Sequence, residues 1–155
     1  VKEVLANEGS IDFWTVRMKP GKPLAFGQFN SPNGRKIPHI GLPGNPVSSL
    51  LAFELFGRPV LHKMLGCEPQ KRPMVRAIAD EPIINTDGRR VYARALMSFE
   101  DDGQWHARLT GPQGSGVLTS MALASGFAIC PENVKSIEEG QEVDVLMIGW
   151  DHQLA

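Results

Sequence analysis

The sequence predicts an α/β unit followed by an all-β unit, and three observations point that way. Apolar residues up to Leu42 fall in short strand-length runs, whereas Val47, Leu50, Leu51, Phe53 and Leu55 recur at helical spacing. From Met74 onward, strand-length apolar segments alternate with turn signals such as Asp87-Gly88 and Asp102-Gly103. The charge also changes sign along the chain. Residues 1–76 carry 11 basic and 5 acidic side chains, a balance of +6, while residues 77–155 carry 5 and 12, a balance of −7.

Taken in order, Val1–Glu8 reads as the end of a helix, with Asn7, Gly9 and Ser10 as stop signals. Ile11–Met18 reads as a strand, followed by the turn-rich Lys19-Pro20-Gly21-Lys22-Pro23 and a second strand at Leu24–Phe29. Asn30-Ser31-Pro32-Asn33-Gly34 has the composition of a hairpin turn and leads into a third strand at Ile37–Leu42. A helix is expected after Pro43-Gly44, with Asn45 as N-cap and Pro46 in its first turn. Pro59 lacks an N–H, so it should kink or restart that helix after Gly57, and the apolar stripe then runs on to Gly66. The expected organisation is therefore an α/β unit over residues 1–66, a polar linker over 67–72 and a β unit over 73–155. Within the last, Met74–Ile83, Val91–Phe99, Gln104–Thr110, Phe127–Cys130 and Glu142–Ile148 are the expected strands, and Ser115–Ser125 holds a short helix. On Val91–Phe99, Arg94 falls on the face opposite Val91, Ala93, Ala95, Met97 and Phe99.

Composition bounds the function. With 155 residues, 42% hydrophobic and 21% charged, the chain can bury a core as a soluble globular protein. It has neither a run of 18 apolar residues nor the residue order of an export signal, so a cytoplasmic protein without a membrane partner is expected. A net charge of −1 removes any whole-chain argument for nucleic acid. Cys67 and Cys130 are too few and too far apart for a disulfide framework or a zinc site, and both should be reduced. The first residue is valine, which points to a processed chain or a fragment of something longer.

Three segments are rich in fixed cations or backbone donors. Lys19-Pro20-Gly21-Lys22-Pro23 sets two ammonium groups around a constrained turn, where an anion could sit; a solvated turn is the ordinary alternative. Gly41-Leu42-Pro43-Gly44-Asn45-Pro46-Val47-Ser48-Ser49 joins a strand to a helix start, whose free N–H groups and dipole favour anions, although a plain cap would look the same. Gly111-Pro112-Gln113-Gly114-Ser115-Gly116 matches neither common nucleotide motif, yet a glycine-flanked serine can offer its hydroxyl and nearby amides to an oxyanion. The four histidines show no metal-ligand spacing.

Together these segments, with Phe26-Gly27 after the first, resemble the molybdopterin molybdenumtransferase family, which includes the bacterial MoeA proteins and the E domain of gephyrin. The resemblance extends over nearly the whole chain but only to the family's C-terminal portion. It implies the later half of a MogA-like α/β domain over residues 1–66, followed by a C-terminal β-barrel-like domain over residues 73–155. The implied activity is insertion of molybdate into adenylylated molybdopterin in molybdenum cofactor biosynthesis, with molybdate and adenylylated molybdopterin as substrates. Lys19, Lys22 and Arg94 are the implied catalytic residues, and Lys19, Lys22, Pro23, Ser48, Arg94 and Ser115 the implied molybdate and molybdopterin contacts. Gly44 and Asn45 are expected at the cofactor. Mg2+ ligands are expected in N-terminal regions outside this chain or in a companion chain, the complete protein is expected to be a homodimer, and the isolated chain is expected to be inactive. Two other readings stay open: a non-catalytic docking or oligomerisation module, and an unrelated phosphate- or nucleotide-binding module.

Overall fold

The computed structural model describes residues 9–68, 70–114 and 116–149. The chain opens with β1 (Gly9–Thr15), β2 (Met18–Lys19), β3 (Pro23–Asn30) and β4 (Lys36–Gly41), then runs through a helical segment from Pro46 to Met64. It continues with β5 (Met74–Ala79), β6 (Ile83–Ile84), β7 (Arg90–Phe99), β8 (Trp105–Leu109), a one-turn helix Leu118–Ala122, β9 (Gly126–Cys130), β10 (Ser136–Ile137) and β11 (Glu142–Met147). These elements form two compact units, residues 9–16 with 21–68 and residues 17–20 with 70–149. The expected helix end at Val1–Glu8 lies outside the described residues.

The first unit is a three-stranded antiparallel sheet in the order β1-β3-β4, followed by the helical segment. The register sets Phe13 opposite Ala25 and Gly27 opposite His39. Helix Pro46–Ala52 buries Val47, Ser48, Leu51 and Ala52; of the expected stripe Val47 and Leu51 are buried, Phe53 and Leu55 half-buried, and Leu50 is exposed. The interruption expected at Pro59 takes the form of a π-helical turn over Phe53–Gly57, in which the Arg58 N–H reaches back five residues to the Phe53 carbonyl. Helix Arg58–Met64 follows without a break in helical backbone, and Pro59 in its first turn supplies no N–H to the preceding turn.

Strand β1 stops at Thr15, short of the expected Met18. Met18 and Lys19 instead form the separate β2, which pairs parallel to β7 at Arg90 and Val91. Residues 17–20 therefore belong to the second unit, while Gly21, Lys22 and Pro23 belong to the first. Gly21 has φ 101°, a left-handed conformation that glycine adopts without strain, so the Pro-Gly pair is what lets the chain turn at this point.

The second unit is a five-stranded barrel. Its order is β7-β8-β5-β11-β9, and β9 returns to pair with β7. Ten-residue β7 closes it: residues 91–95 pair with β9 and residues 95–99 pair with β8. All neighbours are antiparallel except β5 and β8. So few strands leave a narrow interior. Small side chains fill it, namely Ala77, Ala79, Ala93, Ala95, Ala107 and Ala128, with Val143, Val145, Met97 and Met147 between them. The strand expected over Met74–Ile83 breaks after Ala79, and Ile83–Ile84 pairs instead with β10, an element with no clear signal in the sequence.

Two predictions follow from this packing. A Cβ on Gly126 would stand 2.6 Å from Val145 Cγ1 and 3.2 Å from Met97 Cγ, inside a filled barrel. Gly126→Ala should therefore cost about 1–3 kcal/mol in urea unfolding, and an unchanged midpoint would show that the barrel is loosely packed. His106 on β8 lies 2.7 Å through Nδ1 from Asp80 and 3.2 Å through Nε2 from Asp102. Its pKa is raised above 6.5, chiefly by the hydrogen bond to Asp80 and then by that to Asp102. The folded chain thus binds this proton more tightly than the unfolded chain. That contribution is complete below about pH 6.5 and is lost as pH rises through the raised folded value. The His106 imidazole should titrate above its ordinary value by NMR, and His106→Gln should flatten the fall in stability as pH rises above about 6.5.

Candidate functional site

The segments singled out in the sequence meet in two hollows, one in each unit. In the first unit a hollow of about 520 Å³ is bordered by Trp14, Pro23, His39, Gly41, Pro43 and Gly44. It joins the end of the Lys19–Pro23 segment to the strand-to-helix junction, because β3 runs beside both β1 and β4. Lys22 is exposed in the same unit, and its carbonyl is anchored by the Val16 N–H at 2.8 Å. In the second unit a hollow of about 230 Å³ is bordered by Lys19, Pro20, Ile83, Tyr92, Leu109 and Gln113. Here the first and third segments come together, since β2 lies alongside β7.

The strand-to-helix junction is built as a cap. Asn45 Oδ1 accepts from the Val47 and Ser48 N–H groups at 3.1 and 3.4 Å, and its carbonyl accepts from Ser49 at 2.8 Å. Two of the amides that could have met an anion are thus already satisfied within the chain. Ser48 is buried and Gly44 is exposed.

Around Lys19 the charges are paired. Its ammonium lies 3.9 Å from Asp87, which also accepts from the Arg89 guanidinium. The Arg89 hydrogen bond is the main reason that the Asp87 carboxyl is held down at about 2. Arg89 also donates to the Met18 carbonyl at 3.4 Å, tying β2 down. Asp87 was not singled out in the sequence. Its only signal there is the Asp87-Gly88 turn, which says nothing of a lysine far back in the chain.

Arg94 is wholly buried on the outer side of β7. Its Nε donates to Ser120 Oγ at 2.6 Å, and its Nη2 donates to the carbonyls of Pro112 and Gly114 at 3.0 and 3.1 Å. Among the described residues no carboxylate pairs with it, and Nη1 has no partner. Burial alone lowers its pKa. Gln113 turns its side chain onto the backbone of the same residue: Oε1 accepts from Arg94 N–H at 2.8 Å, while Nε2 donates to the Arg94 and Gly111 carbonyls at 3.2 and 2.9 Å. Ser115 lies outside the described residues. No three His, Cys, Asp or Glu side chains among the described residues are grouped to hold a metal ion.

Residues 76–148 match the family model described as MoeA C-terminal region (domain IV), and residues 1–63 match the one described as probable molybdopterin binding domain. In both regions the chain is similar to part of the molybdopterin molybdenumtransferases. It matches the molybdopterin molybdenumtransferase of Haemophilus influenzae with 30% identity, over 93% of this chain and 35% of that protein. Molybdopterin molybdenumtransferase 1 of Mycobacterium tuberculosis is 34% identical, over 96% of this chain and 35% of its own length. Two crystal structures of the molybdopterin biosynthesis MoeA protein of Pyrococcus horikoshii superpose with TM-scores of 0.72 and 0.66 at 30% and 26% identity. They cover 94% and 90% of this chain and 34% and 33% of their own. The chain therefore spans about a third of the length of these relatives. The α/β unit followed by a barrel is the architecture that the resemblance implied, and the MogA-like assignment of the first unit agrees with its molybdopterin-binding family model.

The Asn45 cap yields a direct test. Asn45→Ala leaves the Val47 and Ser48 amides without their acceptor and should cost about 1 kcal/mol of stability, while Asn45→Asp should retain most of it. Equal unfolding midpoints for all three chains would show that the cap is not what holds the junction.

Proposed function

We propose that this chain takes part in the insertion of molybdate into adenylylated molybdopterin, the step that releases AMP and yields the molybdenum cofactor. The observation that supports the reading most is that Lys19 and Gln113, from two of the three family-like segments, border one hollow although they are far apart in sequence. Molybdate is a dianion, and fixed cations with hydroxyl donors are the groups that bind one through charge-assisted hydrogen bonds. The resemblance carries the roles residue by residue: Lys19 and Lys22 as charges, Ser48 and Ser115 as hydroxyl donors, and Pro23 as a further contact. Gly44 and Asn45 stand at the molybdopterin side. Arg94 belongs to the same set through the loop it underlies.

The chemistry needs charge stabilisation where the adenylyl-phosphate bond breaks, because negative charge grows on the departing AMP. Ammonium groups already in place supply it without reorganisation. The reading extends to a cytoplasmic homodimer for the complete protein and to Mg2+, both resting on the resemblance. Among the described residues no three His, Cys, Asp or Glu side chains are grouped to hold the ion.

Calorimetry with molybdate, phosphate and AMP tests the proposal. Molybdate should bind in preference to phosphate, and Lys22→Ala should weaken it about tenfold or more, since a charge-assisted contact contributes about 1.5–3 kcal/mol. Equal binding of molybdate and phosphate, indifferent to Lys22, would identify a general phosphate binder instead.

A further inference from the structure

Asn33-Gly34 is the sequence's one asparagine–glycine pair, and it stands exposed at the tip of the β3–β4 hairpin. The two strands end with Asn30 opposite Lys36, and beyond that pair the Ser31 N–H donates to the Arg35 carbonyl at 2.9 Å. Gly34 has φ 76°, a turn position that glycine takes without strain, and its N–H donates to the Ser31 carbonyl at 2.9 Å. A Cβ built on Gly34 would meet nothing within 4 Å, so the space around this peptide nitrogen is open.

The fold also fixes the Asn33 amide oxygen. Oδ1 accepts from the Ser31 hydroxyl and, at 3.3 Å, from the Arg35 N–H, which reaches Ser31 Oγ as well at 3.1 Å. Donors held on a carbonyl oxygen draw electrons from its carbon and stabilise the negative charge that grows on the oxygen as a nucleophile adds. Here the nucleophile is the next nitrogen of the chain, that of Gly34. Other asparagines among the described residues lack this combination. Asn30 and Asn133 precede residues with side chains, and Asn45 precedes Pro46, which has no N–H. Asn85 is buried, and its amide donates to the Pro131 carbonyl at 3.0 Å and accepts from the Gly88 N–H at 3.1 Å.

We infer that Asn33 is a site of spontaneous covalent modification, at which the folded hairpin converts its own asparagine into aspartate and isoaspartate. The Gly34 nitrogen gives up its proton and bonds to Asn33 Cγ; the Cγ–Nδ2 bond breaks, and Nδ2 leaves as ammonia with that proton. Water then opens the cyclic imide. Cleavage between the nitrogen and Cγ restores the ordinary backbone with an aspartate side chain. Cleavage between the nitrogen and the main-chain carbonyl carbon leaves isoaspartate, with the chain routed through the former side chain. Either product sets a new carboxylate beside Arg35 and Lys36, and isoaspartate adds one carbon to a turn that both strands hold in register. The free α-carboxylate of isoaspartate is the group that a carboxyl methyltransferase using S-adenosylmethionine would recognise. None of this depends on the function proposed above.

The test is incubation of the 155-residue chain, folded and in urea, at neutral and at mildly alkaline pH, followed by peptide mapping with mass spectrometry. Isoaspartate is counted separately, by methyl transfer from labelled S-adenosylmethionine with an isoaspartyl methyltransferase. In the folded chain Asn33 should convert ahead of Asn30, Asn85 and Asn133, and faster at the higher pH because the attacking nitrogen must lose its proton. Ser31→Ala removes one donor from Oδ1 and should slow conversion of the folded chain about two- to tenfold, as loss of one hydrogen bond allows, with no change in urea. Conversion in urea but not in the folded chain overturns the inference, since the hairpin would then protect Asn33. Equal or faster conversion of folded Ser31→Ala also overturns it, because the Asn-Gly sequence alone would then suffice.

Discussion

Closure of the barrel through β7 is the constraint on which the second unit depends. One strand must serve two neighbours, β9 along residues 91–95 and β8 along residues 95–99, with Ala95 shared by both. A sheet that closes has no exposed edge, but the hand-over leaves each half of β7 with one side to fill by other means. On the first half this is done by β2 at Arg90 and Val91 and by the Gln113 side chain at Arg94. Two of the three family-like segments therefore sit where they do because β7 needs partners there. The barrel's architecture and the candidate site share one cause.

Charge follows the same geometry. The barrel carries the acidic part of the sequence, yet Arg17, Lys19, Arg89 and Arg90 gather where β2 meets β7, with Asp87 and Glu132 between them. Surface pairs of this kind contribute little stability. Their effect is to order the turn before β7 and to hold β2 in place, as the Arg89 bond to the Met18 carbonyl does directly. Lys19 thus stands on a structured rim, with its charge partly balanced by Asp87 and half-exposed to solvent.

Much of the fold was legible from periodicity and punctuation. Helical spacing after Pro46 and the alternation through Val91–Met97 report which side of an element meets a core: Val47, Leu51 and the alternate positions of β7 are buried, whereas Leu50 is exposed. Phe99 is the exception on that strand, exposed at the end of β7 beyond the filled interior. The short β2, β6 and β10 were not legible, because two residues carry no period. They exist as strands only through the partner that pairs with them.

The family resemblance, the order of an α/β unit and a β unit, and the residue types able to meet an oxyanion are legible in the sequence, because local spacing and turn chemistry are written in neighbouring residues. Tertiary structure alone decided that the Lys-Pro-Gly-Lys-Pro segment is divided between the units at Gly21, that Lys19 faces Asp87, and that Arg94 lies buried under the loop it holds. Each of these depends on contacts between residues distant in sequence. Alternation can say that Arg94 leaves the barrel interior, but only the packed chain shows that the opposite face is covered as well, and with what.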